Sequence, residues 1–79
     1  MRLDKYLKLT RLIKRREVAK VLITEGSILV NNKIIKPSYS VEIGDVIKLK
    51  LGEKIIKIKV KDIKEVVNKK SASSLYDII

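Results

Sequence analysis

The N-terminal third of the chain repeats its apolar positions at the spacing of amphipathic helices. The first set on one face is Leu3, Tyr6, Leu7 and Thr10. The second set is Val18, Val21, Leu22 and Glu25. The pattern breaks between Leu9 and Ile13, so it predicts two short helices and not one long helix. Gly26 follows the second helix directly, where a residue in the left-handed conformation commonly ends a helix.

After Gly26 the apolar period changes to two, which is typical of β-strands. The predicted strands are Ser27 to Asn31, Lys33 to Lys36, Val46 to Leu51 and Lys54 to Ile63. Asn31-Asn32 suits a tight hairpin turn, because asparagine tolerates positive φ, and Pro37 ends that hairpin. Ile43-Gly44-Asp45 predicts a turn before the third strand, and Gly52-Glu53 links the last two strands. The lysines that alternate along these strands favour a solvent-facing side that keeps the sheet soluble.

A chain of 79 residues suits a single domain. The predicted fold class is α+β, with two N-terminal helices packed on a small, mostly antiparallel β-sheet. We expect this domain to span residues 1–67 and a short C-terminal tail to span 68–79. Lys69-Lys70 and the serines that follow indicate a flexible connector. Leu75 to Ile79 is apolar enough to dock, on its own sheet or on a partner.

The chain carries a formal charge of +10, which points to a polyanionic partner. Residues 1–20 contain eight basic and two acidic side chains, whereas residues 21–79 contain eleven and seven. All four arginines lie within the first sixteen residues, and every later cation is a lysine. Arginine binds phosphate oxygens two at a time, so this region is the predicted anion-binding surface.

Several function classes are disfavoured by what the sequence lacks. It contains no cysteine and no histidine, which excludes disulfides, the common zinc sites and catalysis by either residue. The acidic residues are scattered, so we expect no metal, no cofactor and no enzymatic activity. The longest apolar runs have three residues, far short of a membrane span. No secretory signal is apparent, and the expected compartment is the cytoplasm.

The segment Arg11 to Lys20 combines charge with apolar residues. If residues 14–25 are helical, Arg16 and Lys20 project opposite the midpoint of Val18, Val21 and Leu22 and face solvent. Lys14, Arg15 and Arg16 then crowd the positive end of the helix dipole, which is unfavourable in an empty protein. Cations beside free N–H groups form a good phosphate site. The segment therefore predicts phosphate binding.

The predicted RNA-binding residues extend this site over both helices. They are Arg2, Lys5, Lys8, Arg11, Lys14, Arg15, Arg16 and Lys20. Tyr6 could stack on a base, but its place beside Leu3 and Leu7 favours core packing. Asp4 is interpreted as an orienting partner for a nearby cation, with Lys8 at i+4, and not as an acid catalyst.

The first fifty residues resemble the RNA-binding domain named after ribosomal protein S4. The shared features are an Arg-Leu-Asp start, a basic segment leading into Arg16 and Ala19, the helix end from Ile23 to Gly26, the turn at Val30-Asn31, and Val41 to Asp45 ahead of Val46-Ile47. Many members have a small hydroxyl residue, able to cap the second helix, where this chain has Arg15. They often have glycine where it has Asn32. The first departure puts the cap in doubt, and the second keeps a residue that can turn.

A free-standing copy of this domain is most similar to the small bacterial ribosome-quality-control proteins, the RqcP group and its heat-shock-protein relatives. The resemblance implies binding to rRNA and tRNA on a large ribosomal subunit that carries an obstructed peptidyl-tRNA. It also implies support for a nascent-chain tailing factor that adds C-terminal alanine tails. It makes Arg2 and Arg16 the sharpest candidates. We expect a monomer that reads the shape and backbone of RNA more than its sequence.

Three rival classes can be distinguished by experiment. An enzyme would show a stable activity in the purified protein. A membrane-surface binder would prefer anionic vesicles to RNA at equal salt. A general structured-RNA or DNA binding protein, for example one of ribosome assembly, would bind duplex DNA and ribosomal RNA with similar affinity.

Overall fold

Two short helices pack on one face of a four-stranded antiparallel sheet in the computed structural model, which describes residues 1–79. The α-helices are α1 (Leu3–Leu9) and α2 (Arg16–Thr24). The strands are β1 (Ile28–Val30), β2 (Val46–Leu51), β3 (Lys54–Val60) and β4 (Tyr76–Ile78), and a 3₁₀ helix at Ala72–Leu75 precedes β4. Neither α-helix has the length and apolar character needed to cross a bilayer. The predicted α+β class is confirmed.

The sheet has the strand order β1-β2-β3-β4, and its register separates an apolar face from a basic one. Ile47 lies opposite Val30 on one side and Ile58 on the other. Because side chains alternate along a strand, these residues and their inward neighbours form the floor of the core. The buried strand residues are Ile28, Val30, Ile47, Leu49, Ile58 and Val60. Lys48 and Lys50 of β2 and Lys57 and Lys59 of β3 alternate with these residues and lie on the other face.

The core face of α1 follows the sequence pattern closely. Leu3, Tyr6 and Leu7 are fully buried, and Thr10 is 2% exposed. The Thr10 hydroxyl donates to the Leu7 carbonyl at 2.7 Å, which satisfies this polar group inside the core. The predicted face and the predicted break after Leu9 are confirmed.

The core face of α2 differs from the predicted one. Ala19 and Ile23 are fully buried, whereas Val18 and Val21 are 46% and 61% exposed. The small alanine side chain lets α2 lie close to α1, so the helix is rotated away from its bulkier valines. The predicted core positions Val18 and Val21 are therefore wrong. Arg16 lies along the edge of the buried face and not opposite it, because it precedes Ile23 by seven residues.

Gly26 ends α2 as the spacing predicts. Its φ is +85°, and its N–H donates to the Ile23 carbonyl at 3.2 Å. The Ser27 N–H donates to the Leu22 carbonyl at 2.9 Å. These two bonds form a Schellman motif, which satisfies carbonyls that the helix end would leave free.

The Asn31-Asn32 turn forms, but the hairpin stops after it. Both asparagines have positive φ, at 51° and 64°, and Val30 and Lys33 exchange backbone hydrogen bonds of 3.0 Å. Residues 33–36 do not form the predicted strand. The chain turns toward α1 instead, and β1 pairs with β2.

The chain segment after this turn closes the N-terminus of α1. The Tyr39 carbonyl accepts the Leu3 N–H at 2.8 Å, and the Pro37 carbonyl accepts the Asp4 N–H at 3.3 Å. These carbonyls replace a side-chain cap, which the N-cap residue Arg2 does not supply. The demand for acceptors at α1 explains why residues 33–36 leave the sheet.

A buried carboxylate fixes the same segment from the other side. Asp45 accepts hydrogen bonds from Asn31 Nδ2 at 3.1 Å, from the Tyr39 hydroxyl at 2.9 Å and from the Glu42 N–H at 2.9 Å. The hydrogen bond to Asp45 raises the pKa of Tyr39, since it favours the protonated phenol. Tyr39 is thus held by its hydroxyl while its carbonyl caps α1.

The C-terminal residues dock on their own sheet, a choice that the sequence left open. Leu75 is fully buried, and β4 pairs with β3 with Asp77 opposite Lys59. The segment predicted to be a flexible connector is hydrogen-bonded: Asn68 and Ser71 each donate a backbone N–H to the other's side chain, at 3.1 and 2.8 Å. The domain boundary between residues 67 and 68 stays a prediction.

Replacing Tyr6 with phenylalanine should lower the free energy of unfolding by about 1 kcal/mol, the value of one hydrogen bond. Its buried hydroxyl donates to the Leu75 carbonyl at 2.7 Å and joins α1 to the C-terminal segment; burial raises its pKa. That carbonyl also accepts two backbone N–H groups, so it is not orphaned. Urea unfolding measures the loss. Tyr76→Phe, which removes no hydrogen bond within the protein, is the matched control; equal losses would contradict the assignment.

Candidate nucleic-acid interface

A buried carboxylate joins the starts of the two helices. Asp4 is fully buried and accepts hydrogen bonds from Arg2 Nε at 3.1 Å and Arg2 Nη2 at 3.2 Å. Its Oδ1 also accepts the Lys5 backbone N–H at 2.8 Å. Arg16 Nε lies 3.2 Å from Asp4 Oδ2, so one carboxylate pairs with an arginine from each helix. We call Arg2 and Arg16, together with the Asp4 carboxylate that they share, the arginine pair.

The arginine pair keeps Asp4 ionised and retains a net positive charge. Burial alone raises the pKa of Asp4, but the hydrogen bonds from Arg2, the guanidinium of Arg16 and the Lys5 N–H together lower it below its ordinary value. Two cations share one anion, and the arginine side chains remain 47% and 40% exposed. The cluster therefore presents oriented positive charge at the surface.

Arg16 has one buried donor that the protein does not satisfy. Its Nε is close enough to Asp4 for an ion pair, but the N–H is not aimed at the carboxylate and has no hydrogen-bond partner, although it is buried. An unpaired buried donor is unfavourable and uncommon. Asp4 therefore holds the Arg16 guanidinium in place by charge and leaves its Nε without a hydrogen bond.

The N-terminus of α2 adds further free donors. Arg15 is the N-cap residue and makes no side-chain hydrogen bond to the helix, so the cap that the sequence put in doubt is absent. The backbone N–H groups of Arg16, Glu17 and Val18 donate to no protein acceptor. In α1 the equivalent groups are satisfied by residues 37–39 and by Asp4. The free N–H groups of α2 thus lie next to the arginine pair and suit a phosphate oxygen.

The structure places the eight predicted cations in three situations. Arg2 and Arg16 meet at Asp4. Lys5 pairs with Glu65 at 2.6 Å, and its ammonium lowers the pKa of that exposed carboxyl. The remaining five are exposed and form no ion pair with the protein: Lys8, Arg11, Lys14, Arg15 and Lys20.

The prediction that Asp4 orients a nearby cation is correct, but the predicted partner, Lys8, is wrong. The partners of Asp4 are Arg2 and Arg16, and Lys8 is not among them. The i+4 rule applies to exposed pairs, whereas Asp4 points inward beside Leu7 and meets the neighbouring helix. The signal that could have indicated this contact was an acidic residue at the edge of the apolar face of α1.

Replacing Arg11 with glycine should raise the free energy of unfolding by a few tenths to about 1 kcal/mol. Arg11 has a φ of 65° at the end of α1, a conformation that disfavours residues with a Cβ atom. Arg11→Ala removes the same cation but keeps the strain, so its stability should not rise. Urea unfolding compares the two, and equal stabilities would contradict the strain. RNA affinity should fall equally in both, since both lose the charge.

The comparisons with known proteins agree with this architecture. The family model described as "S4 domain" matches residues 1–47. The chain is 46% identical to the "RQC P-site tRNA stabilizing factor" of Listeria monocytogenes over 100% of this chain and 86% of that protein. It is 42% identical to the protein of the same name from Halalkalibacterium halodurans, over 99% and 89%.

A solved structure shares the fold at high similarity. The structure titled "Trimeric structure of Vibrio cholerae Heat Shock Protein 15" matches with a TM-score of 0.94 and 34% identity, covering 100% of this chain and 81% of that one. The family model covers the two helices and the start of β2, which include every residue of the arginine pair. The chain therefore belongs to the S4 domain family, and within it to the group of the RQC P-site tRNA stabilizing factors.

Proposed function

We propose that this protein is a non-catalytic, cytoplasmic RNA-binding protein of ribosome-associated quality control. It binds the large ribosomal subunit that holds an obstructed peptidyl-tRNA, and it contacts both rRNA and tRNA. The observation that carries the proposal is the arginine pair beside the unpaired N–H groups of α2. The name of its relatives, which refers to a P-site tRNA, supports the same partner class.

The proposed mechanism is the recognition of phosphates held in a fixed geometry. Asp4 orients Arg2 and Arg16 before RNA arrives, so less side-chain entropy is lost on binding. The free N–H groups of Arg16, Glu17 and Val18 donate to a phosphate oxygen at the positive end of α2. The other six predicted cations extend this surface along the two helices and their connection. Such contacts read RNA shape and backbone more than base sequence.

The proposal extends to the partner factor and the oligomeric state. A bound tRNA that is held in place would let a tailing factor extend the stalled chain with C-terminal residues, and the protein would take no part in the chemistry. We propose that one monomer acts on each subunit. The Vibrio cholerae Heat Shock Protein 15 structure is described as trimeric, so light scattering at working concentration is the direct check of our monomer.

Ribosome sedimentation tests the proposal. Wild-type protein should co-sediment with large subunits that carry peptidyl-tRNA, and Arg16→Ala should weaken this association by about tenfold or more, as expected for a charge-assisted contact. Because Arg16 also pairs with Asp4, each variant needs a thermal unfolding curve. Arg15→Ala supplies an arginine change without an internal ion pair, so it reports on binding alone.

The control is Lys59→Ala, on the outer face of the sheet. It should sediment like wild type. If Lys59→Ala lost the association and Arg16→Ala kept it, the RNA would bind the outer face of the sheet and not the helices, which would contradict the proposal. Equal affinity for duplex DNA and for large subunits would instead indicate a general nucleic-acid binding protein.

A further inference from the structure

The outer face of the sheet, which the helices leave uncovered, contains a second basic surface. A shallow pocket of about 280 Å³ is lined by Gly26, Ser27, Leu29, Lys48, Lys50 and Ile55. Lys57 borders it, because it lies directly opposite Lys48 on the neighbouring strand. The pocket and Lys57 together are called the lysine pocket. It lies on the layer of the molecule that faces away from α1 and α2.

The lysines of this pocket have no counter-charge within the protein. Lys48, Lys50 and Lys57 form no ion pair, whereas Lys5, Lys61 and Lys64 each pair with an acidic side chain. Like charges directly opposite on adjacent strands are destabilising, and Lys48 faces Lys57 in this way. Solubility requires lysines on the face but does not require two of them in opposition. An anionic partner would turn this repulsion into attraction.

The centre of the lysine pocket is apolar. Ile55 is 58% exposed and lies opposite Lys50, and Leu29 lies opposite Lys48. An apolar centre with a charged border is the usual arrangement of a protein–protein contact. The volume is slightly below that of sites for drug-sized ligands, so it suits a single side chain and not a separate cofactor.

The chemistry of the lysine pocket distinguishes its partner from RNA. Surfaces for single-stranded nucleic acid stack bases on aromatic side chains, and no aromatic residue lines this pocket. It also lacks arginine, which this chain places only in its first sixteen residues. The aliphatic side chains of the pocket suit an apolar side chain of a partner, and the lysines beside them suit carboxylates next to that side chain.

We propose that the lysine pocket docks an acidic segment of a partner protein, which inserts one apolar side chain against Leu29 and Ile55. Carboxylates beside that side chain pair with Lys48, Lys50 and Lys57. Because the pocket and the arginine pair lie on opposite layers, the protein can hold RNA on its helices and a protein on its sheet at the same time. This surface is independent of the proposed RNA contacts.

Peptide titration followed by amide NMR tests the inference on the full chain. The first probe is a short synthetic peptide of glutamates that includes leucines, and the second replaces its leucines with serines. The third probe is single-stranded polyuridine. The first peptide should shift the amide signals of Gly26, Ser27, Leu29 and Ile55, and should bind about tenfold or more tightly than the second.

A matched pair of double variants gives the control. Lys50→Glu with Ile55→Ser should abolish the peptide shifts, whereas Lys69→Glu with Ile43→Ser, which changes exposed residues elsewhere, should keep them. Equal binding of both peptides, or shifts confined to the helices, would overturn the inference. Tighter binding of polyuridine at the pocket would also overturn it and identify a nucleic-acid surface. Both variants should still bind the large subunit. A failure of this inference can therefore be distinguished from a failure of the proposed function.

Discussion

Alanine at both Arg2 and Arg16 should lower the free energy of unfolding by about 2 to 4 kcal/mol at neutral pH. The double change leaves the Asp4 carboxylate buried, with the Lys5 N–H as its remaining donor. Removing the partners of a buried charge is costly because the charge keeps its desolvation penalty and loses its compensation. The estimate lies toward the low end for buried pairs, since both guanidinium groups are partly exposed and screened by water.

The deficit of this double variant should shrink as the pH falls. In the wild type the folded-state pKa of Asp4 lies below its ordinary value, so its stabilisation is present above the unfolded-state pKa and is lost as pH falls through the lowered one. Without the arginines, burial raises the pKa of Asp4 above its unfolded value. The variant then begins to gain stability relative to wild type at a pH above the ordinary aspartate pKa of about 4, because its buried Asp4 takes up a proton there.

Urea unfolding at neutral and acidic pH measures both effects. Adding Asp4→Asn to the double variant is the matched control, because it removes the buried charge while keeping the shape of the side chain. That triple variant should recover part of the lost stability and should lose the pH dependence of the deficit. A deficit that is equal at both pH values, or no recovery with asparagine, would show that the charge of Asp4 is not its cause.

The sequence predicted the fold well where one local pattern decided the outcome. The face of α1 was correct because Leu3, Tyr6 and Leu7 have no competing apolar positions on that short helix. Positive φ at Asn31 and the helix end at Gly26 were correct because few residue types adopt that conformation easily. The strand Val46–Leu51 had the alternation that a half-buried sheet requires.

The sequence failed where distant parts of the chain decided. On α2, the predicted core face contained Val18 and Val21, but packing against α1 buries the smaller Ala19 instead. Residues 33–36 have strand character, yet the free N–H groups of α1 draw the chain that follows toward that helix. Rules based on neighbouring residues predict neither the packing of α2 on α1 nor the capping of α1 by a later segment.

The candidate site shows the same division. The basic segment and the poorly capped start of α2 could be recognised from residue types, since charge and the absence of a cap are local properties. The arginine pair could not, because Arg2 and Arg16 meet only when α1 and α2 pack through Asp4. The rotation of α2 that exposes the predicted core residues Val18 and Val21 also brings Arg16 to the buried carboxylate. The prediction of Arg16 as a site residue therefore depends on a different geometry from the one first inferred.

Raising monovalent salt from about 50 to about 200 mM should lower the affinity for large subunits about a thousandfold or more. Each phosphate neutralised by a cation releases condensed counterions, so the loss grows with the number of contacts. The site contains eight candidate cations, of which Lys5 is partly neutralised by Glu65. A plot of the logarithm of affinity against the logarithm of salt should have a slope of about −6. Fluorescence anisotropy of labelled protein at fixed Mg²⁺ measures it.

Variants then assign this slope to a surface. Lys14→Ala with Arg15→Ala removes two exposed cations that have no ion pair in the protein, so it should make the slope less steep by roughly 1 to 2 without loss of stability. Lys48→Ala with Lys50→Ala removes the same charge from the outer face of the sheet and should leave the slope unchanged. If the sheet variant changed the slope and the helix variant did not, phosphates would lie against β2. In that case the unpaired N–H groups of α2 would not contact the RNA, because α2 lies on the opposite side of the sheet.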